Sequence, residues 1–204
     1  MLCGIDEAGR GPLAGPVCAA SVILKDDFPF EILNDSKKLN HVQRMEIRNI
    51  ILEKAFAFGI GWATHTEIDE INILQASLLA MKRSFEEMIK KKNFTTEDTE
   101  EHGEDKIIIS KSLLSSLTTV IVDGKFVPNI NFPCTPMVKA DAQVPQVMAA
   151  SILAKTERDT YMEQMAKLYP KYGYEKHKGY PTKAHKEAVK LYGASPIQRL
   201  SFKY

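Results

Sequence analysis

Short apolar runs alternate with helical periodicities along this chain. The apolar runs predict strands at residues 2–5, 17–24, 57–64, 118–122 and 137–140. Apolar positions that recur every three or four residues predict helices at residues 41–56, 66–92, 145–168 and 183–192. Asn40 or Asp35 is a candidate N-cap for the first helix, and Thr66, with Asp69 three residues later, for the second. The alternation predicts an α/β fold in which helices flank a mixed central β-sheet.

Length and composition are those of one globular domain. The 204 residues, 44% of them hydrophobic, can bury one sizeable core but not two. No apolar stretch approaches the roughly 18 residues of a membrane span, and the N-terminus lacks the basic segment and apolar run of a secretory signal. Three scattered cysteines without a CxxC pair favour a reducing compartment over a disulfide framework or a zinc site. We therefore expect one domain over residues 1–204, without membrane association, in the cytoplasm.

The net charge of +1 conceals an uneven distribution of charge. Residues 93–105 hold six of the 26 acidic residues and no Lys or Arg, which predicts an acidic surface insertion and leaves 20 acidic against 27 basic residues elsewhere. Residues 171–204 carry eight basic and two acidic residues, and all seven tyrosines lie at or beyond Tyr161. This composition predicts a C-terminal region, from about residue 160 to 204, that binds a polyanion. An ordinary solvated surface with core tyrosines explains it equally well.

Acidic residues follow three of the predicted strands. Asp6 and Glu7 follow the first strand, Asp123 follows the strand at 118–122, and Asp141 follows the strand at 137–140. Strand ends are where an α/β sheet commonly places its active site. Carboxylates that converge there repel one another, and burying them is costly unless cations are bound. Mg²⁺ or Mn²⁺, which prefer oxygen ligands, are the expected cofactors, and two such ions can act together on a phosphate ester.

Asp6 and Glu7 raise a geometric difficulty. Adjacent residues of a strand face opposite sides of the sheet, so both side chains are expected to reach one site only if the strand breaks at Glu7. Ala8-Gly9, directly after it, would permit such a break. Any one of these acids alone is more often a loop or capping carboxylate. The three strand ends together favour a metal-dependent enzyme acting on phosphates, without specifying which one.

Six segments of the chain resemble the ribonuclease HII family. They are GIDEAGRGPLAGPV at 4–17, DSKKL at 35–39, VDG at 122–124, AASILAKTERD at 149–159, YPKYGYEKHKGYPTKAH at 169–185 and SPIQRLSF at 195–202. The segments follow the family order and cover nearly the whole chain. GIDEAGRG together with HKGYPT is a highly specific combination. The related HIII type, which typically shows DESGKGD at the first motif, fits less well.

The resemblance implies a ribonuclease H-like fold with a C-terminal helical region packed beside the sheet. It also implies that four carboxylates are both catalytic and metal-binding, namely Asp6, Glu7, Asp123 and Asp141. Three residues depart from the family pattern, two beside Asp141 and one in the last motif. Ala140 and Ala142 replace a glycine and a serine on either side of Asp141, and Gln198 stands where the family commonly has histidine.

The resemblance also implies a set of substrate contacts. Gly9, Arg10 and Gly11 would form the backbone loop that recognises the ribose 2′-OH, the group that distinguishes RNA from DNA. Tyr180 would stack on the deoxyribose that follows the ribonucleotide. Candidate phosphate contacts, which position a duplex without reading its sequence, are Lys37, Lys38 and Asn72.

The implied activity is endonucleolytic cleavage of the RNA strand of RNA–DNA hybrids and nicking 5′ to single ribonucleotides in duplex DNA. Two divalent ions, Mn²⁺ or Mg²⁺, would take part in a hydrolysis that leaves a 3′-OH and a 5′-phosphate. The expected partners are RNA–DNA hybrid and ribonucleotide-containing duplex DNA. A monomer without an obligate protein partner is expected to suffice.

Other functions fit the sequence less well. A non-catalytic nucleic-acid-binding protein would keep the basic C-terminal region but would not need four intact carboxylates. A DNA-specific nuclease or resolvase would not need a 2′-OH loop such as residues 9–11. The glycines at positions 9, 11 and 15 have the wrong spacing for a dinucleotide- or NTP-binding loop. His177 and His185, eight residues apart, are interpreted as surface or phosphate-facing histidines rather than zinc ligands.

Overall fold

The computed structural model of the chain describes residues 1–34, 39–91 and 116–203. Within those ranges the strands are β1 (Leu2–Ala8), β2 (Val17–Leu24), β3 (Ala55–Ala63), β4 (Thr119–Asp123) and β5 (Cys134–Met137). The α-helices there are α1 (His41–Lys54), α2 (His65–Lys91), α3 (Pro145–Leu168), α4 (Tyr174–His177) and α5 (Lys183–Tyr192). Short 3₁₀ helices lie at Phe30–Ile32, Ala140–Ala142 and Pro170–Tyr172. The candidate cap Asp35, the candidate phosphate contacts Lys37 and Lys38, and the acidic segment 93–105 lie outside the described residues.

The strands form one mixed sheet in the order β3-β2-β1-β4-β5. β1 pairs antiparallel with β2 and parallel with β4, while β2–β3 is antiparallel and β4–β5 is parallel. This sheet, flanked by helices, confirms the predicted α/β architecture. The two neighbours of β1 do not extend equally far. Its pairing with β2 continues to Ala8, whereas its pairing with β4 ends at Ile5, so the last residues of β1 have an open edge on the β4 side.

Helices cover both faces of the sheet. Every residue of β2 is buried, and its side chains alternate between two cores. Val17, Ala19 and Ile23 belong to the core that includes the residues of α2, among them Met81, Phe85 and Met88. The intervening residues of β2 belong to the core that includes residues of α1 and α3, among them Ile47, Ile51 and Leu153. Burial on both faces of the sheet explains why residues 17–24 form a continuous apolar run in the sequence.

The C-terminal region packs on the end of α3 through a third, smaller core. Its buried residues are Ala14, Met162, Ala166, Tyr174 and Ile197. The loop after β1 joins this region through three backbone hydrogen bonds: Leu13 N–H to Gly179 O, Gly15 N–H to Ile197 O, and Arg199 N–H to Leu13 O, each 2.8 Å long. The loop at the start of the chain is therefore held by segments nearly two hundred residues away.

Two of the predicted strands differ from the observed ones. The strand predicted at 137–140, ending at Asp141, is wrong: β5 ends at Met137, and Asp141 lies in the 3₁₀ helix Ala140–Ala142. Lys139, with a φ of 61°, turns the chain out of the extended conformation just before that helix. The first strand was predicted to end at Ile5, and Asp6 and Glu7 were expected to reach one site only if the strand broke at Glu7; both are wrong, because β1 runs unbroken to Ala8.

Helix starts follow capping chemistry. Asn40 caps α1 with a complete capping box, in which Asn40 and Gln43 each accept a hydrogen bond from the other's backbone N–H. The cap predicted at Thr66 is wrong. The Thr64 side chain accepts from Glu67 N–H while Glu67 accepts from Thr64 N–H at 2.8 Å, so the box begins two residues earlier. No helix within the described ranges is both long and apolar enough to cross a membrane.

Helix α2 approaches β3 closely at two glycines. A Cβ added at Gly61 would lie 2.1 Å from Ala80 O, and one at Gly59 would lie 2.2 Å from Ser84 O. We expect Gly61→Ala to lower the free energy of unfolding by about 1–3 kcal/mol, because the helix backbone must shift away. At an open strand position the same change would be stabilising. Urea denaturation measures the difference, and an increase in stability would contradict the close approach.

Candidate active site

Strand register brings Asp6 and Asp123 side by side. Ile5 pairs with Val122 across β1 and β4, so the residues that follow them are neighbours at the ends of two parallel strands. Ile5 and Val122 both point into the core on the α2 side. Because side chains alternate along a strand, Asp6 and Asp123 both point to the opposite face, where α3 lies. The side chains of the two strands alternate in phase, and this places the two carboxylates together.

Asp141 reaches the same place from a turn. Asp123 Oδ1 accepts a 2.8 Å hydrogen bond from the backbone N–H of Ala140, which fixes the 3₁₀ helix carrying Asp141 against the end of β4. Asp6, Asp123 and Asp141 each offer one carboxylate oxygen to a group in which these atoms lie within 4.8 Å of one another. Asp6 and Asp141 are buried. Three carboxylates within this distance form a candidate site for a divalent cation.

Glu7 lies in the same cleft without belonging to that tight group. It sits on an unbroken strand, and it reaches the cleft because β4 no longer pairs with β1 beyond Ile5. Its Oε1 lies 3.3 Å from Arg10 Nη1. Its Oε2 is buried and accepts no hydrogen bond from any residue that the structure describes. A buried carboxylate oxygen without a donor is suited to a cation.

Burial and mutual repulsion shift the protonation of these acids. Burial raises the pKa of Asp6 well above its ordinary 3.8, and the negative charges of Glu7 and Asp123 raise it further. Burial also raises the pKa of Glu7, against the opposing effect of the Arg10 guanidinium. The unsatisfied oxygen of Glu7 and the oxygen-only donor set both fit hard divalent ions, which would relieve this repulsion.

The active-site cleft is an open cavity of about 440 Å³. Besides the four carboxylates, its walls contain three consecutive loop residues, three polar or basic side chains and one tyrosine: Gly9, Arg10, Gly11, Arg44, Ser151, Lys155 and Tyr180. The structure therefore brings the predicted 2′-OH loop, the predicted stacking tyrosine and the predicted carboxylates into one cavity.

Tyr180 is held with part of its ring free. Its exposed fraction is 39%. Lys155 Nζ lies 5.8 Å and Arg158 Cζ 5.9 Å from the ring centroid. The Tyr180 carbonyl oxygen lies 3.0 Å from His185 Nδ1, a hydrogen bond in which the ring nitrogen donates. An aromatic ring anchored from behind and open at the cleft is available for stacking.

Sequence reasoning assigned no role to Ser151, Lys155 or Arg44. Ser151 and Lys155 lie one turn apart on α3, and Ser151 hydrogen-bonds Asp6 and so fixes it. Both belong to the AASILAKTERD segment, so the family resemblance marked their positions without their roles. Arg44 lies on the first turn of α1, where only the folded chain brings it to the cleft. Arg44, Lys155 and Tyr180 also line an adjoining cavity with Lys176 and Lys178, in which Lys155 pairs with Asp159 and Lys178 with Glu163.

Two other predicted residues lie elsewhere. Asn72 is not part of the cleft lining; it has a φ of 67° at a bend in α2, and its side chain accepts hydrogen bonds from Leu74 and Gln75 N–H. The interpretation of His185 as a surface histidine is wrong, because it is fully buried. Its ring stacks on that of His177 with centroids 4.6 Å apart.

Comparison with known proteins places the chain among ribonucleases of one type. The family model described as ribonuclease HII matches residues 3–204. Ribonuclease HII of Treponema denticola is 53% identical over 99% of this chain and 98% of its own length. The ribonuclease HII in a PCNA complex from Archaeoglobus fulgidus has a TM-score of 0.71 at 23% identity, covering 98% of this chain and 92% of that one. Bst-RNase HIII in complex with Mn²⁺ has a TM-score of 0.68 at 17% identity, covering 98% and 66% respectively. The last two likenesses establish the fold.

The clustered carboxylates are expected to lower the stability of the metal-free protein at neutral pH. Because the folded-state pKa of Asp6 is raised, its contribution to stability falls as pH rises above about 3.8, its ordinary pKa. We expect Asp6→Asn to stabilise the metal-free protein at pH 7 by about 0.5–2 kcal/mol, measured by urea denaturation in EDTA. Added Mn²⁺ or Mg²⁺ is expected to stabilise the wild type more than the variant.

Asp69→Asn is the matched control. Burial alone would raise the pKa of Asp69, but hydrogen bonds from Ser201 and Leu200 lower it, so this carboxylate is stabilising at neutral pH. The control is expected to lose stability under the conditions in which Asp6→Asn gains it. Loss of stability in both variants would mean that repulsion among the clustered acids is not a significant cost.

Proposed function

The chain belongs to the ribonuclease HII family of metal-dependent endonucleases that act on RNA–DNA hybrids, and from that premise we propose that it also nicks duplex DNA 5′ to single ribonucleotides. The products would be a 3′-OH and a 5′-phosphate. The observation that carries the proposal is the sharing of one cleft by the carboxylate cluster, the Gly9–Gly11 loop and Tyr180. Chemistry and recognition of a lone ribose require these parts to be adjacent.

The carboxylates are proposed to hold two divalent ions, Mn²⁺ or Mg²⁺. Asp6, Asp123 and Asp141 would supply the shared oxygen ligands, and Glu7 would supply its unpaired Oε2. Bound ions would activate the attacking water and stabilise the departing O3′. Ser151 would keep Asp6 oriented through its hydrogen bond, and Arg10 would restrain Glu7 from the other side of the cleft.

The loop of Gly9, Arg10 and Gly11 is proposed to bind the ribose 2′-OH through its backbone. Gly9 has a φ of 103°, a conformation open to glycine, and Gly11 carries no side chain between the loop and Tyr180, whose ring lies 3.6 Å from where a Cβ would be. Backbone groups can therefore approach a sugar closely. Recognition through the backbone discriminates by the presence of the hydroxyl, independently of the base.

Basic residues are proposed to hold the duplex by its phosphates. Arg44 and Lys155 border the cleft, and Lys176 and Lys178 continue from it along the adjoining cavity. Such contacts position a duplex without reading its sequence. Lys37, Lys38 and Asn72 stay predicted phosphate contacts.

A monomer is proposed to be sufficient, with RNA–DNA hybrid and ribonucleotide-containing DNA as its substrates. A single copy of the chain supplies the four carboxylates, the Gly9–Gly11 loop and Tyr180 to one cleft, so the proposed activity needs no residue from a second copy. No obligate protein partner is proposed, and the cytoplasmic location stays a prediction.

Cleavage of three labelled duplexes tests the proposal. One carries a single ribonucleotide, one is a full RNA–DNA hybrid and one is all DNA, each with Mg²⁺, Mn²⁺ or EDTA. We expect metal-dependent nicking 5′ to the lone ribonucleotide, cleavage of the hybrid, and no cleavage of all-DNA. Asp6→Asn is expected to reduce cleavage at least about a thousandfold, while Asp27→Asn, an exposed aspartate in the turn after β2, is expected to keep it.

Each other outcome has a distinct meaning. Binding of the duplexes without cleavage under every metal condition would support a non-catalytic nucleic-acid-binding protein. Equal cleavage of the all-DNA duplex would rule out the 2′-OH assignment. Cleavage of the hybrid but not of the single ribonucleotide would leave the family activity intact and reject the finer proposal.

Tyr180 allows a separate test of stacking. Tyr180→Ala is expected to reduce kcat/KM on the single-ribonucleotide duplex about ten- to a hundredfold, the usual value of an aromatic–nucleotide stack. Tyr180→Phe keeps the ring and is expected to stay within about threefold of the wild type. Equal losses in both variants would show that the hydroxyl, and not the ring face, is what matters.

A further inference from the structure

We propose that Arg199 is a positioning residue that sets the conformation of the Gly9–Gly11 loop, and thereby the preference for ribose over deoxyribose. The inference rests on the proposed role of that loop in binding the 2′-OH. Arg199 belongs to the last motif of the chain and does not line the active-site cleft. Its hydrogen bonds to residues of the cleft lining are those to the backbone oxygens of Gly9 and Arg10.

Every N–H of the Arg199 guanidinium donates to the backbone of the segment from Gly9 to Pro16, which begins with the Gly9–Gly11 loop. The side chain is fully buried. Its five donors bind five carbonyl oxygens: Nε to Gly15 at 2.8 Å, Nη1 to Arg10 at 3.1 Å and Pro12 at 2.7 Å, and Nη2 to Gly9 at 2.6 Å and Pro16 at 3.1 Å. A guanidinium has five N–H donors in a planar fork, so none is left over. Few side chains other than arginine could satisfy this set.

A second buried arginine completes the support. Arg158, 1% exposed, donates from Nε to Pro16 O at 2.9 Å and from Nη2 to Ala14 O at 3.1 Å. Its Nη1 donates to Lys178 O at 3.0 Å, two residues before Tyr180. A Cβ on Gly9 would lie 2.1 Å from Arg158 Nε. The arginine therefore occupies the space that any other residue at position 9 would need.

Peptide geometry turns these carbonyl contacts into an orientation of donors. In a trans peptide the C=O of one residue and the N–H of the next point in opposite directions. When Arg199 holds the carbonyls of Gly9 and Arg10 inward, the N–H groups of Arg10 and Gly11 must point outward. Those residues line the cleft, and among the described residues neither N–H donates a hydrogen bond. Two unused backbone donors, at residues that line the cleft, are therefore directed away from Arg199.

The backbone that carries Arg199 is itself fixed on both sides. Arg199 N–H donates to Leu13 O, and the next N–H, of Leu200, donates to Asp69 Oδ2, both at 2.8 Å. Burial and the adjacent Arg158 lower the pKa of Arg199 to about 9, so the guanidinium is still cationic at neutral pH. The buried positive charge also polarises the loop peptides, with their N–H ends toward the cleft.

Arg199→Lys tests the proposal, because lysine keeps the charge but offers three donors instead of a five-donor fork. In an Asp6→Asn background, which prevents cleavage, we compare Kd for the single-ribonucleotide duplex with Kd for the all-DNA duplex. We expect the preference for the ribonucleotide to fall about tenfold, as for two misaligned hydrogen bonds. Affinity for all-DNA is expected to change less than about twofold. Arg83→Lys, which weakens a structural ion pair with Glu67 on α2, is the matched control and is expected to keep the preference.

Two results would overturn the proposal. One is an unchanged preference in Arg199→Lys accompanied only by a lower Tm, as expected of a purely structural arginine. The other comes from the wild type, so that it does not depend on the variant folding: ¹⁵N relaxation of the free protein should give order parameters near 0.85 for Arg10 and Gly11, and values below about 0.6 would mean that the loop is not preformed. Absence of any ribonucleotide preference in the Asp6→Asn parent would instead reject the 2′-OH assignment, and this inference with it.

Discussion

Several carboxylates lie together where the neighbouring strands β1 and β4 stop pairing, and the cost of keeping them there governs the surrounding structure. Asp6 and Asp123 are adjacent because two parallel strands end in register, and Asp141 joins them because Asp123 accepts a hydrogen bond from the Ala140 N–H. Burial raises the pKa of Asp6, and the negative charges of Glu7 and Asp123 raise it further. The fold compensates only in part, with Ser151 at Asp6 and Arg10 at Glu7. In proteins that depend on metal ions, clustered carboxylates generally destabilise the metal-free fold and stabilise it once cations are bound.

The segment after β1, from Gly9 to Pro16, meets the opposite requirement, since its backbone is polar, irregular and close to the core. Buried carbonyl groups need donors, and among the described residues a backbone N–H supplies one to this segment only at Leu13, from Arg199. Arg158 and Arg199 supply the other donors, with seven hydrogen bonds to the carbonyl oxygens of this segment between them. Guanidinium groups achieve this with little loss of conformational freedom per bond. The loop therefore depends on residues from α3 and from the last motif of the chain, and the basic C-terminal region contributes to the fold as well as to the surface.

The sequence was sufficient for the fold class and for most of the helices, because α1 and α3 begin where capping or Pro at the first turn predicts. Local patterns failed where tertiary contacts decide. Pairing with β2 carries β1 past Glu7 although Ala8-Gly9 permits a break. The positive φ of Lys139 removes Asp141 from the strand, and nothing in the composition of that segment signals it. Arg44 and Arg199 could not be assigned from spacing, because their partners lie far away along the chain. His185 is buried by stacking on His177, which an eight-residue separation does not suggest.

Strand β1 connects chemistry and recognition directly. Asp6 and Glu7 are the two residues before Ala8, the last residue of β1, and Gly9–Gly11 follows directly. The pairing of β1 with β2 up to Ala8 makes this connection stiff, and the arginine contacts make the next residues stiff as well. A sugar bound by the loop would thus have its adjacent phosphate set at a defined distance from the carboxylates, since no flexible segment separates the two. On the proposed function, cleavage at a fixed position relative to the ribose would follow from this continuous backbone alone.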